Sequence, residues 1–326
     1  MDISYLLWWQ GLREATGGVL ESVAVALSAL GDAMPPLLLA CAIYWCVHKS
    51  TGLFAMFGFN LGAFFNGIFK LTCCVYRPWV RDTRIVPAKG AIGGATGYSF
   101  PSGHSTNSTA VYGGVGYKSK GWLRWLLFAL VLLIMLSRNV VGVHTPQDIL
   151  VGALLGVAAL CLTGWLLKWA DGGKNRDLWA AGAALALAIV GVVFVSLKAY
   201  PTDYVGGALL VDPVAMQPDT FAGAGAMIGL FAGWLMERRL VRFDMSCKPW
   251  QKLLRFVIGA AVMALMYLVV GKGVKSLIGR NWGGLIVSAV TLFYAMGLHP
   301  LLFTAVEKRH ESKTKQAPEQ PETIRN

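Results

Sequence analysis

The chain has 326 residues, of which 56% are hydrophobic and only 14% charged, and its formal net charge is +12. Soluble domains average about 25% charged residues, so this composition excludes a soluble enzyme. We attribute the positive charge to basic cytoplasmic loops rather than to nucleic-acid binding. Because the apolar residues come in blocks that approach the roughly 20 residues of a bilayer crossing, we expect an all-α integral membrane protein, a polytopic helical bundle.

The apolar blocks predict about nine transmembrane helices, in chain order at 19–47, 52–72, 103–117, 121–138, 146–168, 178–199, 218–237, 254–272 and 281–305. Before them, residues 3–12 include two tryptophans and are typical of a helix in the membrane interface. Gly31, Pro35 and Pro36 interrupt the first block, so we expect that helix to bend there. Its first half could instead cross separately, which would make ten crossings.

The basic residues predict the orientation, because Lys and Arg are enriched in cytoplasmic loops. They place the C-terminus in the cytoplasm and, with nine crossings, the N-terminus outside. We expect residues 1–170 to hold all the reactive groups and 171–306 to form additional transmembrane helices. Residues 307–326 are polar and basic, and are predicted to form a disordered cytoplasmic tail.

The first segment that suggests chemistry is 70–78, at the end of the second predicted helix. Lys70 and Arg77 are seven residues apart, so on a helix they would share one face. Asn66 adds a polar group one turn before Lys70. Taken alone, the two cations could simply be interfacial side chains that reach for lipid headgroups.

The second segment is 101–105, Pro-Ser-Gly-His-Ser, which opens the third predicted helix. Gly103 lets the backbone approach an anion closely, and a helix N-terminus offers free N–H groups that suit phosphate. Ser102 adds a hydroxyl donor, and His104 adds a group that exchanges protons near neutral pH. The alternative is an ordinary helix cap with an interfacial histidine.

The third segment is 137–148, which leads into the fifth predicted helix. Thr145, Pro146 and Asp148 have the spacing of an N-cap, a first and a third helical residue, so they predict a capping box. Asp148 also follows His144 by four residues. It is therefore close enough to hold one imidazole nitrogen and leave the other nucleophilic.

All three segments fall on the predicted outer side of the membrane. The three cations Lys70, Arg77 and Arg138 at one membrane face call for an anion. His104 and His144 beside that anion suggest an acid and a nucleophile rather than simple binding.

These segments read Lys-x6-Arg-Pro, Pro-Ser-Gly-His and Ser-Arg-x5-His-x3-Asp, in that order. They resemble the three signature motifs of the type 2 phosphatidic acid phosphatase superfamily, also called the lipid phosphate phosphatases. The resemblance covers about residues 66–150 and shows no departure at the positions that usually matter. The nine-crossing layout is similar to that of the glucose-6-phosphatase and sphingosine-phosphate phosphatase branches.

The resemblance implies a phosphatase core in which His144 attacks phosphorus, Asp148 orients it and His104 protonates the leaving oxygen. It implies that the phosphoryl oxygens are held by Lys70, Arg77, Ser102, Gly103 and Arg138. Family members need no metal, and the segments contain a single carboxylate where a magnesium site would want more, so no metal or other cofactor is predicted.

The predicted partners are membrane lipids and a substrate that is a phosphorylated lipid, such as phosphatidic acid, sphingosine phosphate or polyprenyl pyrophosphate, or a small phosphate ester. We expect a bacterial plasma membrane protein whose site faces outward. A sugar-phosphate phosphatase stays open, as does a non-catalytic transporter or scaffold on the same fold. Vanadate-dependent haloperoxidases share the site pattern but are typically soluble, which the apolar helices argue against.

Overall fold

The computed structural model describes residues 2–95, 97–205 and 208–316. The α-helices are α1 (Asp2–Ala15), α2 (Val19–Ala29), α3 (Met34–Ala42), α4 (Lys49–Cys73), α5 (Pro78–Arg81), α6 (Lys89–Ile92), α7 (Gly103–Ser108), α8 (Gly114–Lys118), α9 (Trp122–Val140), α10 (Pro146–Asp171), α11 (Arg176–Leu197), α12 (Gln217–Met236), α13 (Pro249–Leu265), α14 (Gly271–Ile278), α15 (Arg280–Phe293) and α16 (His299–Gln316).

Several of these helices are joined by tighter or wider turns. Wide π-helical turns occur at Ile43–Val47, Thr109–Gly113, Glu237–Val241, Met266–Val270 and Tyr294–Leu298, and a 3₁₀ turn at Val214–Met216. Two short strands, β1 (Tyr204–Val205) and β2 (Ala208–Leu209), pair antiparallel with Tyr204 opposite Leu209. The fold is otherwise helical over the part of the chain that the structure describes, as the sequence predicts.

Within that part, seven helices or joined helices are long and apolar enough to cross a membrane: Lys49–Arg81, Trp122–Val140, Pro146–Asp171, Arg176–Leu197, Val214–Val241, Pro249–Ile278 and Arg280–Arg309. The chain is therefore a multi-pass membrane protein. The predicted third crossing is continuous from α7 to α8, but it is shorter than the roughly 20 residues of a full span.

The predicted bend in the first span is present. Val19–Ala29 and Met34–Val47 meet at 48° and qualify as one further span only if taken together. Pro36 lies in the first turn of α3, where a proline needs no backbone partner and so starts a new helix. With this pair and the α7–α8 segment, each of the nine predicted crossings corresponds to a helical segment of the structure.

Aromatic side chains in the middle of the bundle connect its two halves. The indole of Trp45 donates to the carbonyl of Ala295 at 2.9 Å, and the hydroxyl of Tyr44 donates to that of Met296 at 3.2 Å. Trp45 and Trp234 are both fully buried in the same apolar cluster. The helices after 171 are thus packed against the first ones rather than attached at a distance.

A row of glycines lets α12 and α15 approach backbone to backbone. A Cβ atom on Gly225 would lie 2.0 Å from the carbonyl oxygen of Leu285, and one on Gly229 would lie 1.9 Å from that of Ala289. Small residues every fourth position are a common device for close helix contact in a bilayer, where apolar burial gives no driving force. This contact fixes the wall that α12 presents to the rest of the bundle.

The chain brings four helix ends to one end of the bundle. Helices α4 and α9 finish there, and α7 and α10 begin there, because successive crossings alternate in direction. The break between α2 and α3 lies against the start of α7, where Asn107 contacts the carbonyl of Gly31 at 3.4 Å. This end carries all three segments that the sequence singles out.

The C-terminal helix differs from the sequence prediction. Helix α16 continues to Gln316, so residues 307–316 of the predicted disordered tail are helical. Glu307 lies on its inner side and pairs with the buried Arg255 at 2.7 Å, which gives this part of the tail a packing role. Residues 317–326 of the predicted tail lie outside the described residues.

We expect Gly229→Leu to lower the thermal midpoint of the detergent-purified protein. The new side chain would meet backbone, which cannot rotate away, so the loss should reach or exceed the about 1–3 kcal/mol typical of overpacking. Gly182→Leu on α11 is the matched control, because a Cβ there has no neighbour within 4 Å. Tryptophan fluorescence on heating measures both, and equal midpoints would contradict the close contact.

Candidate active site

A cavity of about 370 Å³ opens at the end of the bundle where the three segments meet. Its lining includes five of the residues predicted from the sequence: Lys70, Arg77, Gly103, His104 and His144. Ser102, Arg138 and Asp148 are buried directly behind them. The fold thus brings together residues that are spread over more than seventy positions of the chain.

His144 lies in the turn between α9 and α10 and is held from one side by Asp148. Its Nδ1 is 3.4 Å from Oδ2 of Asp148. The same carboxylate oxygen accepts from the backbone N–H of Thr145 at 2.7 Å, and Thr145 Oγ1 accepts from the N–H of Asp148 at 3.4 Å. The predicted capping box is therefore confirmed. One carboxylate both starts α10 and orients the imidazole.

Ser99 is a further partner of this pair. Its hydroxyl donates to Oδ2 of Asp148 at 2.6 Å and lies 3.4 Å from Nδ1 of His144. The sequence analysis does not assign it, although it lies only two residues before Pro101. A lone serine in a loop carries no local signal, because its partner on α10 is distant in sequence.

The other nitrogen of His144 faces Arg77. Nη1 of Arg77 lies 2.9 Å from Nε2 of His144, on the cavity side of the ring. Burial of the imidazole, followed by the nearby charges of Arg77 and Arg138, holds the pKa of His144 well below its ordinary value. The lowered pKa favours the neutral ring, which keeps one nitrogen unprotonated.

Arg77 is positioned by backbone carbonyls. Its Nε donates to the carbonyl of Gly97 at 3.1 Å, and Nη1 donates to that of Val143 at 3.0 Å. These neutral acceptors fix the guanidinium without cancelling its charge. Arg77 thus ties together the loop before α7, the turn that carries His144 and the end of α4.

Arg138 is 2% exposed, and its bonding is incomplete. Nη1 donates to the hydroxyl of Ser28 on α2. Among the residues that the structure describes, nothing accepts a hydrogen bond from its Nε or Nη2. A buried cation with two free donors is costly unless an anion completes its shell. This observation fits a phosphoryl group better than a purely structural role.

The start of α7 provides the backbone part of the site. Ser102 caps the helix by accepting from the N–H of Ser105 at 3.4 Å, and its own N–H donates to the carbonyl of Asp148 at 2.9 Å. A Cβ on Gly152 would lie 2.5 Å from the carbonyl oxygen of Ser102, so α10 can press against this turn only with glycine there. Gly103 lines the cavity, and the first turn of a helix has N–H groups without partners inside the helix.

Lys70 lies in the last turn of α4 and lines the same cavity. One turn earlier, the buried amide of Asn66 donates to the carbonyl of Pro101 at 3.3 Å and to Thr106 at 3.1 Å. Asn66 therefore joins α4 to the start of α7 and helps to fix the position of Lys70 relative to His104.

His104 meets a carboxylate that the sequence analysis does not assign. Its Nε2 lies 2.9 Å from Oδ1 of Asp32, in the break between α2 and α3. The side chain of His104 is 12% exposed and that of Asp32 54%. The three predicted segments thus form one site, and residues of the first span add two contacts to it, from Ser28 and Asp32.

Among the described residues, no group of three or more His, Cys, Asp or Glu side chains could hold a metal ion. The donors at the cavity are instead cations, N–H groups and two imidazoles. Such a set can bind a tetrahedral anion, attack it with a neutral imidazole and exchange a proton with it.

Two family models match the chain. One, described as the PAP2 superfamily, matches residues 51–172, and the other, described as the PAP2 superfamily phosphatase, transmembrane extension, matches residues 221–311. No curated protein and no solved structure matches the chain. All the predicted site residues lie in the first matched region. The resemblance drawn from the three motifs is thereby confirmed, and the chain belongs to the type 2 phosphatidic acid phosphatase (PAP2) superfamily, as a membrane phosphatase with the transmembrane extension.

Proposed function

We propose that the protein hydrolyses a phosphomonoester or pyrophosphate of a lipid through a phosphohistidine intermediate on His144. The observation that carries this proposal is a single cavity that is polar and reactive at one end and apolar at the other. The reactive end is built by the region that matches the PAP2 superfamily. The apolar end is lined by residues that include Leu37, Phe59, Ala226, Met263 and Leu292.

The apolar end favours a lipid over a soluble phosphate ester. Ala226, Met263 and Leu292 lie on α12, α13 and α15, so the transmembrane extension supplies much of this wall. An acyl or prenyl chain that enters from the bilayer could occupy this space without exposing apolar surface to water. A sugar phosphate has no apolar chain to place against these side chains.

In the first step Nε2 of His144 attacks phosphorus. A P–N bond forms, the P–O bond to the leaving group breaks, and the leaving oxygen takes a proton from His104. Asp148, which lies near Nδ1, orients the ring and stabilises the positive charge that develops on it. The depressed pKa of His144 supports this role, because the attacking nitrogen must be unprotonated.

In the second step a water molecule attacks phosphorus and His104 takes its proton. The P–N bond breaks, inorganic phosphate leaves, and neutral His144 is restored. Both steps pass through a transition state with negative charge on three equatorial oxygens. Lys70, Arg77 and Arg138, with the Gly103 N–H and the Ser102 hydroxyl, would hold those oxygens, which is where most of the rate enhancement would arise.

We also propose that the site faces outward from a bacterial plasma membrane, with the C-terminus in the cytoplasm. The support is the basic character of the opposite end of the bundle. Arg238 and Arg239 pair there with Asp171 and Asp177 at 2.5 and 2.6 Å, and further Lys and Arg residues lie beside them. An excess of basic residues marks the cytoplasmic side.

His144→Ala should abolish phosphate release, because no other imidazole of the described residues contacts Arg77. The assay is phosphate release in EDTA by detergent-purified protein with phosphatidic acid, sphingosine phosphate, undecaprenyl pyrophosphate and glucose 6-phosphate. Wild-type enzyme quenched in alkali with labelled substrate should carry phosphate on His144, in the alkali-stable, acid-labile form typical of a phosphoramidate. His48→Ala, at the other end of α4, is the control, and turnover by His144→Ala would overturn the mechanism.

His104→Ala should slow substrates with poor leaving groups by about 10²–10⁴-fold, the usual range for lost acid–base catalysis. An alkyl phosphate should lose most, because its alkoxide needs a proton. With p-nitrophenyl phosphate the first step needs no proton, so the variant should release a burst of nitrophenolate and accumulate phosphoenzyme. Equal losses for both esters in the rate of the first step, measured in a single turnover, would remove His104 from the leaving-group step.

Ala226→Leu should lower kcat/KM for dioleoyl phosphatidic acid much more than for p-nitrophenyl phosphate. The larger side chain would fill part of the apolar end of the cavity without touching the reactive end. Ala158→Leu, on an exposed face of α10, adds the same side chain outside the cavity and is the matched control. Equal losses for both substrates would argue against a lipid chain in this space.

A further inference from the structure

The inference concerns Asp32, which lies outside the region that matches the PAP2 superfamily. It is in the break between α2 and α3, and Oδ1 is 2.9 Å from Nε2 of His104. Asp32 and His104 both line the reactive cavity. The contact could be an incidental ion pair at the surface, or it could affect the reaction of His104.

The segment between α2 and α3 is hydrogen-bonded to the helical segment that carries His104. The hydroxyl of Tyr112 donates to the carbonyl of Leu30 at 2.8 Å, and Asn107 donates to that of Gly31 at 3.4 Å. A Cβ on Gly31 would lie 3.1 Å from Cβ and Cδ2 of His104 and 2.7 Å from Ile134. The missing side chain lets the break lie flat against the imidazole, which brings the Asp32 carboxylate to its edge.

The environment of His104 indicates what the Asp32 carboxylate does. Burial is the largest effect that opposes protonation of His104, and the like charges of Arg138 from α9 and Lys70 from α4 add to it. His144 and Asp219 are further titratable groups that line the same cavity. Asp32 acts in the opposite direction, through its hydrogen bond and its charge. Without it, burial and the two cations would act unopposed and would disfavour the protonated ring further.

We propose that Asp32 is a positioning residue that accepts a hydrogen bond from Nε2 of His104 and stabilises the protonated ring. Nδ1 is then the nitrogen that gives a proton to the leaving oxygen and later takes one from water. The arrangement mirrors the pair on the other side of the cavity, where Asp148 holds Nδ1 of His144 and leaves Nε2 to react. In each pair the carboxylate contacts one imidazole nitrogen, and the proposed chemistry takes place at the other.

This assignment rests on the proposed function, so the test begins with wild-type turnover. The probes are an alkyl phosphate (dioctanoyl phosphatidic acid) and p-nitrophenyl phosphate, and kcat is followed from pH 5 to 9. Asp32→Asn keeps the shape and removes the charge, whereas Asp32→Glu keeps the charge. Asp82→Asn removes a carboxylate from the same face, where it pairs with Arg84 rather than with the site, and is the control.

The alkaline limb of kcat for the alkyl phosphate should move to lower pH in Asp32→Asn. A carboxylate within 4–6 Å shifts an imidazole by about 1–3 pH units, and half exposure of Asp32 places the expected shift near the lower figure. At pH 8 the alkyl phosphate should therefore lose about tenfold in rate, and p-nitrophenyl phosphate much less. In Asp32→Glu the alkaline limb of kcat should lie between those of Asp32→Asn and the wild type. In Asp82→Asn it should lie at the same pH as in the wild type.

A loss that is equal at every pH and for both esters would make Asp32 merely structural and overturn the assignment. So would an Asp32→Asn profile that coincides with the wild type. Absence of turnover in the wild-type protein would overturn the proposed function, and this assignment with it. The thermal midpoint of each variant separates misfolding from a change in chemistry, since only the latter moves the pH limb while the midpoint stays constant.

Discussion

The structure depends on one electrostatic constraint: three cations are gathered at the end of a membrane bundle, largely away from water. Like charges that lie close together in a medium of low polarity repel strongly, so each of these side chains must be held in place by its neighbours. The contacts of Arg77 include the carbonyls of Gly97 and Val143, and Arg138 reaches the hydroxyl of Ser28. These carbonyl and hydroxyl acceptors orient the two guanidinium groups. A phosphoryl dianion would then complete a site that the protein alone leaves short of negative charge.

The two matched regions contribute different things to one cavity. The PAP2 region provides the reactive groups, and the transmembrane extension provides an apolar wall on α12, α13 and α15. The glycines of α12 hold that wall against α15 at backbone contact. The reactive end thus depends on the three segments at 70–78, 101–105 and 137–148, whereas the shape of the apolar end depends largely on side chains of α12, α13 and α15.

Much of this arrangement could be predicted from the sequence, because its signals are local. The apolar blocks marked the crossings, Pro36 and Gly31 marked the bend, and the spacing of Thr145 and Asp148 marked the capping box. Ser99, Ser28 and Asp32 had no such signal, since each acts on a partner far along the chain: Ser28 and Arg138 are 110 positions apart. The helical residues 307–316 were missed for a related reason. Their polar, basic composition is typical of a disordered tail, but Glu307 forms an ion pair with Arg255 from a different helix.

The long separation between Ser28 and Arg138 also bears on how the protein is made. A ribosome delivers the first span to the bilayer well before α9 and α10 have been synthesised. Until those helices insert, the nascent chain has Lys70, Arg77 and His104 but neither the proposed nucleophile nor the third cation. Ser28 meanwhile lacks its partner Arg138. On the proposed mechanism, turnover therefore cannot precede the docking of α10, and it would report correct insertion of the first half of the chain.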